Sequence, residues 1–247
     1  MPFMLSGNGW YMPQLNIVLL GGRNSGKSND DNHGRTRTAR CHVGDTFVFG
    51  RRVTVVDTPG WWCNYFSEET PHFDKREMIL SLSLCPPGPH AFLLVIRMDR
   101  AFRDTHRRAV EEHIKLIGKE IWNRMIVVFS FGDWLGTSTT EQFIESEGKP
   151  LQWVVDRCSN RYHILNNKTK GDGFQVRELI GKLEEMVATC DSDWYFEIEN
   201  SVIRNLEQKM REETDGAKER RRVKDKQRRT ARATLGELHY SAHFYYL

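Results

Sequence analysis

No apolar run in these 247 residues reaches the roughly 20 that a helix needs to cross a bilayer, so no membrane-spanning helix is expected. Cysteine is sparse. Cys41, Cys63, Cys85, Cys158 and Cys190 form no C-x-x-C pair, which argues against a zinc site and for free thiols in a reducing compartment. Residues 1–14 lack the positive stretch followed by an apolar core that marks a secretory signal. No segment repeats, so a solenoid is excluded. Neither charge sign dominates: 36 Lys and Arg stand against 33 Asp and Glu. The expected setting is cytoplasmic, with peripheral attachment to intracellular membranes left open.

Against these absences, one stretch is rich in information. The residues Gly21, Gly22, Arg23, Asn24, Ser25, Gly26, Lys27 and Ser28 match G-x-x-x-x-G-K-[ST], a phosphate-binding loop. Its glycines let the backbone curl so that N–H groups point at phosphate oxygens. Lys27 adds positive charge, and the Ser28 hydroxyl can ligate Mg²⁺. The preceding apolar run, Leu15 to Leu20, reads as a buried parallel strand.

Further signals follow in order. A β-branched run from Val53 ends in Asp57-Thr58-Pro59-Gly60, a D-x-x-G arrangement. Asp57 would hold Mg²⁺, commonly through water, and the Gly60 N–H would meet a γ-phosphate. An ordinary Asp-Thr-Pro-Gly turn is the plainer reading. A second apolar strand delivers Asp133 through Ser130-Phe131-Gly132-Asp133. There a carboxylate can take both N–H groups of a guanine edge, although the Lys of the usual N/T-K-x-D is missing; a plain loop Asp is the alternative. A third short strand leads to Asn166-Asn167-Lys168, which is either a base-contacting loop or an Asn-rich turn.

With Arg37-Thr38-Ala39-Arg40-Cys41, Trp61-Trp62 and the segment Pro87-Gly88-Pro89-His90-Ala91-Phe92-Leu93-Leu94-Val95-Ile96-Arg97, these motifs resemble those of the AIG1-type GTPases. The chain is similar to the GIMAP group, and in particular to its fish members, over roughly residues 14–199. The resemblance implies GTP or GDP as ligand with Mg²⁺ as cofactor. It implies phosphate contacts from Gly21 to Ser28 and from Gly60, and guanine contacts from Asp133, Asn166 and Asn167. It places the metal on Ser28, Asp57 and Thr38, the last by its position before Cys41. It also implies homo-oligomers formed through the G domain, an immune-related switch, and a relaxed base motif ending in Asp.

Two departures bear on catalysis. Only nine residues separate Ser28 from Thr38, and they are poor helix formers, so the first helix is expected to be stunted or absent. A Gln that orients water often follows D-x-x-G. Here Trp61 does, and an indole N–H only donates. Trp61-Trp62 is either a hydrophobic anchor for the switch or a partner-facing patch. Hydrolysis should be slow unless a second subunit supplies a group, for which His106, Arg107 and Arg108 are candidates, or else a solvated face.

Strands alternate with amphipathic patterns, as at residues 103–118, 152–158 and 174–188, which predicts an α/β class. The fold expected is a P-loop G domain with a mostly parallel central sheet flanked by helices, plus a basic C-terminal helix. The expected divisions are an N-terminal segment (1–13), the G domain (14–199) and a helical extension (200–247). Lys218, Arg220, Arg221, Arg222, Lys224, Lys226, Arg228, Arg229 and Arg232 oppose only Glu219 and Asp225, a net of about +7 in a chain of net +3. That stretch reads as a solvated helix, as a peripheral contact with anionic membrane, or as a nucleic-acid contact, the last disfavoured because no aromatic interrupts it. Two functions are consistent with these residues: a guanine-nucleotide switch with weak or dimer-dependent hydrolysis, or a non-hydrolysing scaffold acting through the C-terminal helix.

Overall fold

Runs too apolar to leave either face in water pair with one another, and in this chain they pair side by side. The computed structural model describes residues 4–6, 9–27, 40–62, 68–166, 168, 173–190 and 194–244. A short antiparallel pair, β1 (Met4–Ser6) and β2 (Gly9–Tyr11), precedes a six-stranded sheet. Its strands are β3 (Gln14–Gly21), β4 (His42–Val48), β5 (Arg51–Asp57), β6 (Ala91–Arg97), β7 (Met125–Ser130) and β8 (Tyr162–Ile164). The spatial order is β4-β5-β3-β6-β7-β8, and only β4 runs antiparallel to its neighbour. The sheet is therefore mostly parallel, as the alternation of strand and helix patterns predicts.

Among the described residues, five α-helices flank it: α1 (His72–Leu80), α2 (Asp104–Ile117), α3 (Thr140–Glu147), α4 (Lys149–Arg157) and α5 (Phe174–Ala188). Side chains alternate across each strand. Val18, Leu20, Phe92, Leu94, Val127 and Phe129 pack with Val110, Ile114, Leu151 and Val154 of α2 and α4. Leu15, Ile17, Leu93, Val95, Ile126 and Val128 pack with Leu179, Leu183 and Val187 of α5. The sheet is thus covered on both faces, which is why all six residues of β7 are buried. Each such side chain contributes about 1.5–3 kcal/mol on burial.

A polar side chain is drawn deep into this apolar layer. Asn16 of β3 is fully buried. Its Nδ2 donates to the carbonyls of Cys85 (2.9 Å), Pro86 (3.1 Å) and Gly88 (2.9 Å). Its backbone N–H donates to His90 Nδ1 at 2.9 Å, and the His90 N–H returns a bond to its carbonyl at 2.9 Å. Burial, aided by Arg124, pulls the His90 imidazole down to about 4, so it stays the neutral acceptor that this bond requires. The loop so fixed holds the chain after α5: the Phe196 N–H donates to the Pro89 carbonyl at 2.7 Å, and Phe196 meets Phe92 edge-on at 5.8 Å.

Residues 199–247 form a second compact unit consisting of α6 (Asn200–Phe244), 45 residues or about 68 Å of helix. Residues 211–235 are exposed all round, the nine basic side chains among them. Ion pairs such as Lys218–Asp215 (3.0 Å) and Arg222–Glu219 (2.8 Å) support it locally. None of the helices among the described residues is long and apolar enough to cross a membrane.

Asn16→Asp should destabilise the fold more than Asn16→Ala. The alanine strands three carbonyls at a cost of about 2–3 kcal/mol. The isosteric carboxylate adds a buried charge facing those same oxygens. Urea unfolding followed by circular dichroism measures the order, and equal midpoints for Asn16→Asp and the wild type would contradict it.

Candidate functional site

The site lies where β3, β5, β7 and β8 end at their carboxyl edges. β3 delivers the chain into the glycine-rich loop, which turns through left-handed backbone at Asn24 (φ 59°) and Gly26 (φ 88°). The Lys27 Nζ donates to the Gly21 carbonyl at 3.3 Å, folding its stem back over the loop. The Ser25 N–H donates to the Gly22 carbonyl at 3.3 Å. Ser25 Oγ is buried with no hydrogen-bond partner among the described residues. Ser28 and Thr38, and with them the short connection expected to stunt the first helix, lie outside the described residues.

β5 ends at Asp57, opposite Leu19 in register, so its carboxylate is placed one strand away from the start of the loop. Thr58 Oγ1 donates to the Leu19 carbonyl at 2.6 Å and locks the turn. Gly60 and Trp61 then run onto the glycine-rich loop: the Arg23 N–H donates to the Trp61 carbonyl at 2.7 Å. The two tryptophans differ in burial. Trp61 is 2% exposed and stacks on His113 of α2 at 4.7 Å, whereas Trp62 is 47% exposed. His113 is fixed by Thr70 Oγ1 at 2.7 Å and by the Ala109 carbonyl at 2.6 Å. Nearby, the Cys41 thiol is pushed up to about 12 by burial and by the carboxylates of Glu77 and Asp57. Asp57, Cys41 and Lys27 therefore share one electrostatic neighbourhood.

The third side comes from β7. Ser130 Oγ donates to the Ser25 carbonyl at 2.6 Å, joining the base-motif strand to the glycine-rich loop. Phe131 adopts left-handed backbone (φ 59°), and the Arg97 guanidinium lies 4.2 Å over its ring. Arg97 also donates to the Asn24 carbonyl at 2.9 Å and is held by both oxygens of Asp99. Gly132 donates its N–H to the Leu165 carbonyl at 2.9 Å. A side chain there would drive into Ile164 Cγ2 and the Leu165 carbonyl, so only glycine lets the two loops close.

Asp133 Oδ2 meets Lys168 Nζ at 2.8 Å, and that partner holds the carboxyl below its usual range. A lysine thus reaches the motif's carboxylate from the next loop, although the sequence lacks one inside the motif. The Asn166 N–H donates to Gln175 Oε1 at 2.6 Å, and its Oδ1 accepts from the Lys168 N–H at 2.9 Å. Asn167 lies outside the described residues. Sequence reasoning passed over Ser130 and Arg97 as site residues; their signal was position, at the ends of two strands flanking the loop. His106, Arg107 and Arg108 sit in the first turns of α2. Arg107 pairs with Asp104 (2.7 Å) and Glu111 (2.9 Å), and Arg108 pairs with Asp104 (2.8 Å).

Hydroxyl and carboxylate oxygens on these loops suit a hard divalent cation. Asp57 is the one member of the expected metal set among the described residues. No cluster of three ligating side chains occurs among the described residues.

Comparisons with known proteins agree with this arrangement. The model of the AIG1 family matches residues 15–214. GTPase IMAP family member 8 of Homo sapiens is 33% identical over 194 residues, which are 72% of this chain and 28% of that protein. The chain thus spans less than a third of that relative's length. Immune-associated nucleotide-binding protein 7 of Arabidopsis thaliana is 26% identical over 79% of this chain and 68% of its own. Among solved structures, Toc33 of Arabidopsis thaliana in complex with Mg²⁺ and GMPPNP superposes with a TM-score of 0.54 at 16% identity, over 71% of this chain and 85% of that one. Its complex with GDP and Mg²⁺ gives 0.53 at the same identity. At this identity the likeness is one of fold.

Gly132→Ala should cost roughly 2–4 kcal/mol, because the added methyl has no room between the two loops. Gly181→Ala, in α5, places its methyl in open space with no atom within 4 Å, and should be neutral or stabilising by up to about 1 kcal/mol. Thermal or urea unfolding of the pair decides the matter; comparable losses in both would refute the packing argument.

Proposed function

This chain belongs to the AIG1 family, and from that premise we propose that it binds GTP and GDP with Mg²⁺ and acts as a guanine-nucleotide switch of the GIMAP type. The observation that carries the reading is the convergence of four loops on one edge of the sheet, joined by Arg23 to Trp61, Ser130 to Ser25, Gly132 to Leu165 and Lys168 to Asp133. In this reading the N–H groups of residues 21–28 and Lys27 hold the phosphates. Asp57, Ser28 and Thr38 hold Mg²⁺, which neutralises phosphate charge when bound. Asp133 takes the guanine edge, with Asn166 and Asn167 beside the base. Lys168 holds the Asp133 carboxyl below its usual range and must yield Oδ2 to the base.

The proposal includes slow hydrolysis by a single subunit. Trp61 follows Gly60, where a water-orienting side chain would stand, and its indole is packed on His113. The candidate arginines of α2 are engaged with their own helix's carboxylates. Assembly through the G domain supplies the missing group. For the chloroplast translocon components atToc33 and psToc159, dimerization is important for GTPase activity. An immune role is supported by the names of the relatives, which include immune-associated nucleotide-binding proteins.

Titration with fluorescent GDP and ADP tests the ligand. GDP should win in the wild type, Asp133→Ala should cut the preference by roughly two orders of magnitude, and Lys27→Ala should lose binding of both. Equal affinity of the wild type for the two nucleotides would reject guanine recognition.

Single-turnover hydrolysis tests the rest. The rate should be on the order of 10⁻³ s⁻¹ or less at low protein concentration and should rise with concentration. A fast, concentration-independent rate would refute slow intrinsic turnover. No turnover at any concentration would favour the scaffold reading over the switch.

A further inference from the structure

A phosphate-binding loop of this pattern needs glycine at its first and sixth positions, but the third is free to carry a side chain. That residue is Arg23, and it reaches across to the D-x-x-G loop and the helix after it. Its N–H donates to the Trp61 carbonyl at 2.7 Å. Its Nε donates to the Gly60 carbonyl at 3.0 Å. Its Nη2 donates to Asp74 Oδ2 at 3.2 Å, in the first turn of α1. Its guanidinium lies 4.3 Å over the Trp62 ring.

These contacts differ in depth. Asp74 is 2% exposed, so the pair is shielded from solvent on the carboxylate side. A side chain at Gly60 would lie 2.9 Å from the N and Cα of Arg23, so the two loops touch backbone to backbone. Arg23 thus pins both carbonyls that follow the Gly60 N–H. On the guanine-nucleotide reading, that N–H meets the γ-phosphate, a group that only a triphosphate has.

We propose that Arg23 is a positioning residue for nucleotide discrimination: anchored by Asp74 and stacked on Trp62, it holds the D-x-x-G loop and the start of α1 on the phosphate loop, so that the triphosphate is bound in preference to the diphosphate. This rests on the guanine-nucleotide reading and adds a residue-level cause of selectivity to it. The physical logic is population shift. A ligand that contacts Gly60 pays for closing the loop in proportion to how rarely it is closed, whereas a diphosphate that does not contact it is indifferent. If loss of the anchor lowers the closed fraction about tenfold, apparent triphosphate affinity falls about tenfold with it.

The test uses the full chain with Asp74→Asn, which keeps shape and leaves the phosphate loop intact, and Arg23→Gln as an independent second variant. Affinities are measured for fluorescent GDP and for a non-hydrolysable GTP analogue. Asp74→Asn should weaken analogue binding roughly tenfold and change GDP binding less than about twofold. Arg23→Gln should lower the analogue-to-GDP preference in the same direction. Tryptophan emission gives a readout that general loosening would not move. The difference between analogue-bound and GDP-bound spectra should be present in the wild type, absent in Trp62→Phe and diminished in Asp74→Asn. An unchanged preference in both variants, or equal weakening of both nucleotides, overturns the proposal while the nucleotide reading stands. Failure of the wild type to bind either guanine nucleotide overturns both.

Discussion

A loop that turns its N–H groups toward a ligand must find donors for the carbonyls left facing the protein. The glycine-rich loop finds them in several places. Gly21 receives Lys27 Nζ, Gly22 receives the Ser25 N–H, Asn24 receives Arg97 and Ser25 receives Ser130. The last two donors come from other strands, β6 and β7. The loop's shape therefore depends on the sheet order that sets β6 beside β3 and β7 beside β6. The sheet order in turn depends on strands buried on both faces, for which no solvated arrangement exists.

On the other side of the loop the same logic produces a trade. Trp61 supplies apolar area and a ring that stacks on His113, which anchors the D-x-x-G loop to α2. The position is then given over to packing, and its side chain has no acceptor to offer a water. Anchoring and chemistry compete for one residue, and here the burial of Trp61 decides for anchoring. The neighbouring Trp62 remains half exposed under the Arg23 guanidinium, so adjacent residues of one type are held by different forces.

Asn16 shows how the loop before β6 is attached to the sheet. A buried amide in a central strand would cost several kcal/mol if unpaired. Here it gathers the carbonyls of Cys85, Pro86 and Gly88, and His90 completes the set. The loop before β6 is thereby fixed to β3, and through Pro89 and Phe196 it fixes the segment that leaves the first compact unit. The second unit is built on other terms: α6 has no sustained apolar stripe over residues 211–235 and relies on helix propensity with local ion pairs.

The sequence by itself determined which runs become strands, because β-branched apolar stretches such as Val53 to Val56 and Met125 to Phe129 have no other way to bury themselves. It determined the phosphate loop, because glycine spacing and Lys27 are local requirements, and α5, because a 3.6-residue apolar period is local too. It left β4, α1 and α3 unread. β4 is an edge strand with exposed residues such as Phe47, so it has neither alternation nor a continuous apolar run. α1 has little amphipathic pattern. α3, which opens on a Thr139-x-x-Gln142 capping box, is only eight residues long, too short to show a sustained apolar period. Only the tertiary structure decided that Lys168 meets Asp133, that Ser130 serves the phosphate loop, that Gly132 must be glycine and that Arg23 grips Gly60 and Asp74. The partners are far apart in the chain, by 37 positions for Arg23 and Gly60 and by 105 for Ser130 and Ser25. No periodicity in sequence encodes a meeting that the sheet itself brings about.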